Sequence, residues 1–218
     1  MSYHPNSLAL LTTAHTALIS DICDARDLPN PMVSPTIQRV VGSQGRIVVG
    51  PAYPCWVEPT DEYVEIDTLL EMVGSIPRGF VPFVASIEGF PAALWGGLMS
   101  VGALYRGAQG AVTTGAIRDI DQITEVGFDV FGTGRTALDI RRRGFMREYD
   151  VAVEVEGRRI EPGDVVIADG NGVAVIAAHL VDSIADECDR RLDGERATFT
   201  GLEEGTHPRE LYSDLGEF

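Results

Sequence analysis

Lysine is absent from this 218-residue chain, in which all 17 basic residues are arginines and 33 residues are aspartate or glutamate. This absence excludes an internal Schiff base, a lysine-bound pyridoxal phosphate and a P-loop, because each of these requires a lysine amine. The formal net charge is −16. We expect no nucleic-acid partner, since neutralising phosphates requires a basic surface.

Cysteines are few, and long apolar runs are missing. Cys23, Cys55 and Cys188 lie far apart without CxxC spacing, so neither a disulfide framework nor a structural zinc site is indicated. The sequence has no apolar run of the ~20 residues that a membrane span needs. It also shows no basic segment followed by an apolar one, which is the pattern of a signal peptide. We therefore expect a cytoplasmic protein without a membrane partner. The motifs of zincins, serine hydrolases and thiol proteases are also absent.

The hydrophobic pattern predicts alternating strands and helices, followed by antiparallel hairpins. Helical spacing over the first 20 residues predicts one amphipathic helix, with His15 packed on its apolar side. A strand at 46–50 is expected to close at Gly50-Pro51. Further helices are expected at 63–73, with Gly74 as the stop, and at 97–105, 119–126 and 178–191. Further strands are expected at 80–86, 110–114, 128–131, 165–168 and 173–177.

These elements fit a single α/β domain spanning residues 1–218, with central βα units, later hairpins, and N- and C-terminal helices. The predicted parts are an N-terminal helix and proline-rich loop (1–36), a core (40–195) and a polar, acidic tail (197–218). The sequence shows no composition break that would mark a linker.

Two glycines, Gly96 and Gly97, precede an apolar helix and leave its first backbone N–H groups uncovered. Such a helix start binds carboxylates and oxyanions. Arg118 follows a predicted strand and a glycine turn, where a guanidinium can grip a carboxylate. Asp119 beside it offers a hard oxygen ligand for Mg²⁺ or Mn²⁺. The alternative is that Asp119 caps the next helix and Arg118 pairs with a surplus acid.

A glycine run of the form GxGxxA at 132–137 follows a strand and could bind a dinucleotide or S-adenosylmethionine. The arginine-rich residues 141–143 interrupt the long helix that this fingerprint requires. We therefore interpret the run as a glycine-rich loop, and a methyltransferase function would rest on this run alone.

Two separated motifs resemble a known family. The first contains Gly102-Ala103, Arg106-Gly107, Gly110-Ala111-Val112 and Gly115-Ala116-Ile117-Arg118-Asp119; the second is the Pro-Gly-Asp hairpin within 161–173. Their order resembles the RraA-like family over roughly residues 40–195. That family contains regulators of ribonuclease activity and 4-hydroxy-4-methyl-2-oxoglutarate aldolases.

The resemblance implies a β/β/α layered domain that forms a ring-shaped homotrimer, or a dimer of trimers, with active sites at subunit interfaces. It implies that Asp119 anchors Mg²⁺ or Mn²⁺ and that Arg118 grips a small 2-oxo acid. Glu187, on the last helix of a neighbouring subunit, is the implied acid that completes the site. The resemblance also implies that the substrate binds at the helix start, along Gly96, Gly97, Leu98 and Met99. In this segment the amides of Leu98 and Met99 would form the oxyanion site.

The implied activity is that of a metal-dependent lyase. Aldol cleavage, or decarboxylation of the oxaloacetate type, would pass through a pyruvate enolate, and without lysine a metal must stabilise that enolate. The aldolases usually carry an acid at the position of Gly97; Glu88 or a metal-bound water could replace it here. The stretch at 135–147 also departs from the family pattern. The competing interpretation is a non-catalytic trimeric regulator that binds a ribonuclease or helicase.

Overall fold

The computed structural model describes residues 3–215 and arranges their strands in three sheets. In chain order the strands are β1 (Gln38–Val41), β2 (Val48–Pro59), β3 (Val81–Ala85), β4 (Ala93–Trp95), β5 (Ala111–Thr113), β6 (Ala116–Ile117), β7 (Val130–Gly132), β8 (Gly134–Arg135), β9 (Gly144–Tyr149), β10 (Val153–Val155), β11 (Arg158–Ile160), β12 (Val165–Asp169) and β13 (Gly172–Ile176). The main sheet has the order β1-β7-β5-β3-β2-β12-β13, with β9 also paired to β2. Strands β4, β6 and β8 form a small parallel sheet, and β10 and β11 form a hairpin.

Helices cover the sheets on two sides. They are α1 (Pro5–Leu11), α2 (Thr16–Ala25), α3 (Asp67–Ser75), α4 (Gly97–Arg106), α5 (Ile120–Val126), α6 (Val181–Glu203) and α7 (Pro208–Leu215). Helices α3, α4 and α5 pack with the parallel strands in one apolar cluster, whereas α1, α2 and α6 pack with β12 and β13 in another. The predicted fold class, with βα units first and hairpins afterwards, is confirmed.

Strand β2 is longer than the sequence predicts, and the expectation that it closes at Gly50-Pro51 is wrong. Residues 48–51 pair antiparallel with β12, and residues 52–56 then pair parallel with β3. Proline has no N–H to donate to a ladder, so it is tolerated where a strand changes partners. Pro51 lies at this change, which lets β2 connect the parallel half of the sheet to its hairpin half.

The N-terminal segment forms two helices, not the single one expected. The chain turns at residues 12–15, and His15 becomes the N-cap of α2, where its ring accepts a hydrogen bond from the Leu18 amide. The buried Asp169 accepts bonds from the Thr16 amide and hydroxyl at 2.7 and 2.8 Å. This long-range contact with a carboxylate determines where α2 starts. The start could not be predicted from the local sequence, because Asp169 is 153 residues away from Thr16.

Helix α3 starts at Asp67, four residues after the predicted start, and it continues through Gly74. An acid in the first turn favours this start because of the helix dipole. The helix ends before Pro77, whose ring disfavours helical geometry in the preceding residue, Ile76.

The C-terminal segment is more helical than predicted. Helix α6 extends twelve residues past the expected end at 191, and α7 follows within the segment expected to be a polar tail. Pairs such as Arg191–Glu187 and Arg196–Asp193 support this exposed helix, since residues three and four apart are neighbours on a helix surface. The remainder of the predicted tail, residues 216–218, lies outside the described part of the chain. No helix within residues 3–215 has both the length and the apolar character to cross a lipid bilayer.

The glycine run at 132–137 leads from β7 into the short strand β8 and not into a helix. It therefore lacks the helix N-terminus on which a nucleotide-binding fingerprint depends. The interpretation as a glycine-rich loop is confirmed in that the run does not lead into a helix, but the structure places Gly132 in β7 and Gly134–Arg135 in β8.

Candidate functional site

The candidate site lies at the carboxyl ends of two neighbouring parallel strands. Gly96 and Gly97 follow β4, and Arg118 and Asp119 follow β6. Ligand sites in α/β folds form at such strand ends, because loops and helix starts converge there. The two stretches that the sequence singles out therefore meet in space.

Asp119 has an unusual backbone and reaches across to the start of α4. Its φ of 60° and ψ of 40° lie in the left-handed region, which few residues other than glycine adopt. Its side chain makes no capping bond to α5. Instead, Oδ2 accepts a hydrogen bond from the Gly97 amide at 3.1 Å and lies 3.3 Å from Arg118 Nε. Asp119 therefore occupies the N-cap position of α5, as the alternative expected, but its side chain does not cap that helix.

Arg118 is held between two carboxylates. Its Nε faces Asp119, and its Nη1 donates to Oδ2 of Asp139, in the 135–147 stretch. Hydrogen bonds from Arg141 and then from Arg118 hold the pKa of Asp139 well below its usual range. Asp139 is therefore ionised at neutral pH and is not a general base there. Sequence reasoning missed Asp139, because nothing in its local pattern distinguishes it from the other acids.

The first turn of α4 is rigidly supported. Trp95 Nε1 donates to the Ser100 hydroxyl at 2.8 Å, and this hydroxyl donates to the Gly96 carbonyl at 3.1 Å. The amides of Leu98 and Met99, in the first turn, have no intrahelical acceptor available to them. Within residues 3–215 they make no hydrogen bond to a side chain. These two amides can therefore donate hydrogen bonds to a ligand oxyanion.

An open pocket of about 240 Å³ adjoins these groups. It lies between α3 and α4, and Arg118 and Asp119 are at one end. Its other lining residues are Ile66, Leu69, Leu70, Val73, Ala93, Leu94, Trp95, Gly96, Leu98, Met99, Asp139, Ile140 and Arg141. The pocket thus combines charged groups at one end with an apolar wall.

Side chains of neighbouring residues occupy the space beside Gly97. A Cβ atom at Gly97 would lie 2.4 Å from Gln122 Oε1 and 3.1 Å from Asp119 Cβ, so α5 already fills the position where a side chain would project. Gln122 has no motif around it, and the sequence analysis did not identify it. Glu88 lines a different pocket, together with Ser86, so this structure does not place it at the candidate site.

Glu187, the predicted acid of the site, is not among the residues that line this pocket. It lies on α6 and pairs with Arg190 and Arg191. The hydrogen bond from Arg191 is the main cause that lowers its pKa. Its implied role requires a neighbouring subunit and stays a prediction.

The carboxylate of Asp119 can bind a divalent cation whose other ligands are mostly waters or substrate oxygens. Within residues 3–215, no three His, Cys, Asp or Glu side chains cluster as a metal site. Mg²⁺ is commonly held by only one or two carboxylates, together with waters and substrate oxygens. Oδ1 of the half-exposed Asp119 forms no hydrogen bond with any described residue, so this oxygen is free to act as such a ligand.

Comparisons with known proteins identify the family. The model of the RraA-like family, described as Aldolase/RraA, matches residues 16–175, so the chain belongs to this family. Protein DlpA of Legionella pneumophila is 30% identical over 173 residues, which cover 79% of this chain but only 28% of DlpA. A protein of Albidiferax ferrireducens, provisionally named a 4-hydroxy-4-methyl-2-oxoglutarate aldolase, is 29% identical over 74% of this chain and 95% of its own length.

Solved structures show the same fold. An uncharacterised protein from Pseudomonas syringae superposes with a TM-score of 0.84 at 24% identity, covering 96% of this chain and 99% of its own. Streptomyces coelicolor RraAS2, described as an unusual member of the RNase ES inhibitor RraA family, has a TM-score of 0.78 at 22% identity. It covers 90% of this chain and 96% of its own.

We predict that Gly97→Ala destabilises the protein by about 1 kcal/mol, the low end of the usual cost of overpacking, because Gln122 Oε1 ends an exposed side chain that can turn aside, whereas Asp119 Cβ at 3.1 Å has to shift. In a Gln122→Ala background the cost should be smaller, because the nearest atom to the new methyl group is then gone. Urea unfolding of the four proteins in this double-mutant cycle measures the coupling. An equal cost in both backgrounds would contradict the packing described for Gly97.

Proposed function

We propose that this protein is a divalent-metal-dependent lyase, which cleaves or decarboxylates a 2-oxo acid through a pyruvate enolate. The observation that carries the proposal is the meeting of Arg118, Asp119 and the α4 N-terminus at one end of an open pocket. The aldolase name of the Albidiferax relative supports the same class. Arg118 and Asp119 provide a carboxylate grip and an oxygen ligand within one site.

Arg118 is suited to bind the substrate carboxylate. Nε and Nη1 are directed at Asp119 and Asp139, whereas Nη2 forms no hydrogen bond within residues 3–215. The fixed fork of a guanidinium matches the two oxygens of a carboxylate. The neighbouring amides of Leu98 and Met99 would then face the 2-oxo oxygen, where negative charge develops as the enolate forms.

Asp119 would hold the Mg²⁺ or Mn²⁺ ion, which when bound supplies the positive charge that stabilises an enolate. The Gly97 amide and Arg118 fix the orientation of the Asp119 carboxylate. Because Asp139 is ionised and bound by two arginines, we assign it to positioning Arg118 and not to proton transfer. We propose that Glu187 of a neighbouring subunit completes the site, and we assign it no proton transfer, because Arg190 and Arg191 bind it as two arginines bind Asp139.

We further propose that the chain assembles as a homotrimer, or as a dimer of trimers. Helix α4 exposes an apolar face beside the pocket, with Leu98 and Tyr105 exposed by 83% and 88% and Val101 and Leu104 by about half as much. Contiguous exposed apolar patches commonly mark protein interfaces. This face would bring a second subunit next to the candidate site.

A trimeric regulator without catalysis is the second candidate. Gly97 favours it, because the pocket end has no acid at the position where the aldolases usually carry one. RraAS2, which has the same fold, is described as belonging to a family of RNase ES inhibitors. The activity measurement below separates the two candidates.

We predict that the wild-type protein has a solution mass of about three or six times its 23.5 kDa chain mass. Tyr105→Glu should dissociate it, because a charge at this most exposed residue of the α4 face would be buried without a partner. Tyr212→Glu, the same change at a 60% exposed position on α7, is the control. Light scattering coupled to size-exclusion chromatography measures the mass. A monomeric wild-type protein, or a trimeric Tyr105→Glu variant, would be incompatible with this assembly.

We predict that the protein releases pyruvate from oxaloacetate or from 4-hydroxy-4-methyl-2-oxoglutarate with Mg²⁺, after subtraction of the rate with metal alone. Excess EDTA should abolish release, and Asp119→Ala should lower it at least about a hundredfold, since several kcal/mol of charge stabilisation is lost. Asp121→Ala, an exposed aspartate two residues away, should keep near-normal activity. Release no faster than with free Mg²⁺ would refute the lyase function for these substrates and favour the regulator.

A further inference from the structure

Apart from its charged groups, the pocket lining is mostly apolar, and its larger apolar side chains form what we call the apolar wall. Four of its side chains come from α3 and the residue before it, two from the start of α4, and one follows Asp139. They are Ile66, Leu69, Leu70, Val73, Leu98, Met99 and Ile140. An open apolar wall beside a few convergent polar groups is the usual composition of a site for a small organic molecule.

The pocket offers a better partner to one ligand carboxylate than to a second, because Arg118 makes no hydrogen bond through Nη2 within residues 3–215, whereas Arg141 binds Asp139 through two nitrogens. The basic side chains in the lining are Arg118 and Arg141, and both contact Asp139. A second ligand carboxylate, at the far end, would lie against leucine, isoleucine and valine side chains. Burying an ionised carboxylate without a partner is costly, so the pocket disfavours a dicarboxylate that extends along it.

The size of the pocket sets the size of the group that it accepts. The volume is about 240 Å³, which can be compared with the ~150 Å³ of an engineered apolar cavity that binds benzene. An aromatic ring, or an alkyl chain of a few carbons, therefore fits beside a carboxylate held at Arg118.

We propose that the substrate is a 2-oxo acid that carries an apolar alkyl or aryl substituent, which binds between α3 and α4. This inference rests on the proposed function for the placement of the 2-oxo acid, but the apolar wall is independent of the chemistry. The substrate class differs from the 4-hydroxy-4-methyl-2-oxoglutarate in the name of the Albidiferax relative, which carries a second carboxylate.

Calorimetric titration of the full-length protein in Mg²⁺ buffer tests this class. The probes are pyruvate, 2-oxobutyrate, 2-oxohexanoate and phenylpyruvate, with 2-oxoglutarate as the dicarboxylate comparison. Each added methylene should tighten binding about threefold to fourfold, as expected for burial of one methylene, and 2-oxoglutarate should bind more weakly than 2-oxohexanoate. A series with equal affinities, or tightest binding of 2-oxoglutarate, would overturn the proposal.

A pair of matched variants locates the substituent. Leu70 lines the pocket and is 57% exposed, so Leu70→Gln makes the wall polar with little effect on folding. Leu202→Gln is the same change at a 38% exposed position on α6, away from the pocket. Leu70→Gln should reduce the preference for 2-oxohexanoate over pyruvate at least threefold, and Leu202→Gln should preserve it. An unchanged preference in Leu70→Gln would overturn the assigned location.

Failure of this inference and failure of the proposed function give different results. Affinity that rises with chain length in a protein that releases no pyruvate from oxaloacetate or 4-hydroxy-4-methyl-2-oxoglutarate supports the ligand class and contradicts the lyase function for those two substrates. Pyruvate release from oxaloacetate together with a flat affinity series supports the lyase and overturns the apolar substituent. The flat series is also the result expected if a side chain of a neighbouring subunit fills the pocket.

Discussion

The close approach of Asp119 to the first turn of α4 is the contact on which the candidate site depends. Neither glycine at that turn could carry a side chain without displacing Asp119, because a Cβ at Gly96 would lie 3.0 Å from Asp119 Oδ2 and one at Gly97 3.1 Å from Asp119 Cβ. The left-handed backbone of Asp119 directs its carboxylate away from α5, so that Oδ2 accepts a hydrogen bond from the Gly97 amide. A strained conformation held by its surroundings is a common feature of functional sites.

The electrostatics of the pocket follow from the same contact. Arg118 extends from Asp119 to Asp139, and Arg141 completes the pairing of Asp139. Two arginines and two aspartates therefore balance one another, and Asp119 keeps one oxygen available for a cation. With no lysine in the chain, the lyase that we propose would take the positive charge for its enolate from these arginines, the helix amides and a bound metal.

The features that local patterns encode were predicted from the sequence. Apolar periodicity and glycine turns indicate the βα units and the hairpin at 169–172, and the double glycine marks the start of α4. Long-range contacts determined the features that the prediction missed. Asp169 decides where α2 begins, and a change of pairing partner lets β2 continue through Pro51.

The same distinction applies to the site. Arg118 and Asp119 stand in a recognisable motif, whereas Gln122 and Asp139 reach the site only through the packing of α5 and the path of the 135–147 stretch. The most direct test of the account is electron paramagnetic resonance of Mn²⁺ titrated with protein and oxalate, a mimic of the pyruvate enolate. The account predicts that wild-type protein immobilises Mn²⁺ more tightly when oxalate is present, and that Asp119→Ala abolishes this effect. Equal Mn²⁺ binding by the two proteins, with or without oxalate, would contradict it.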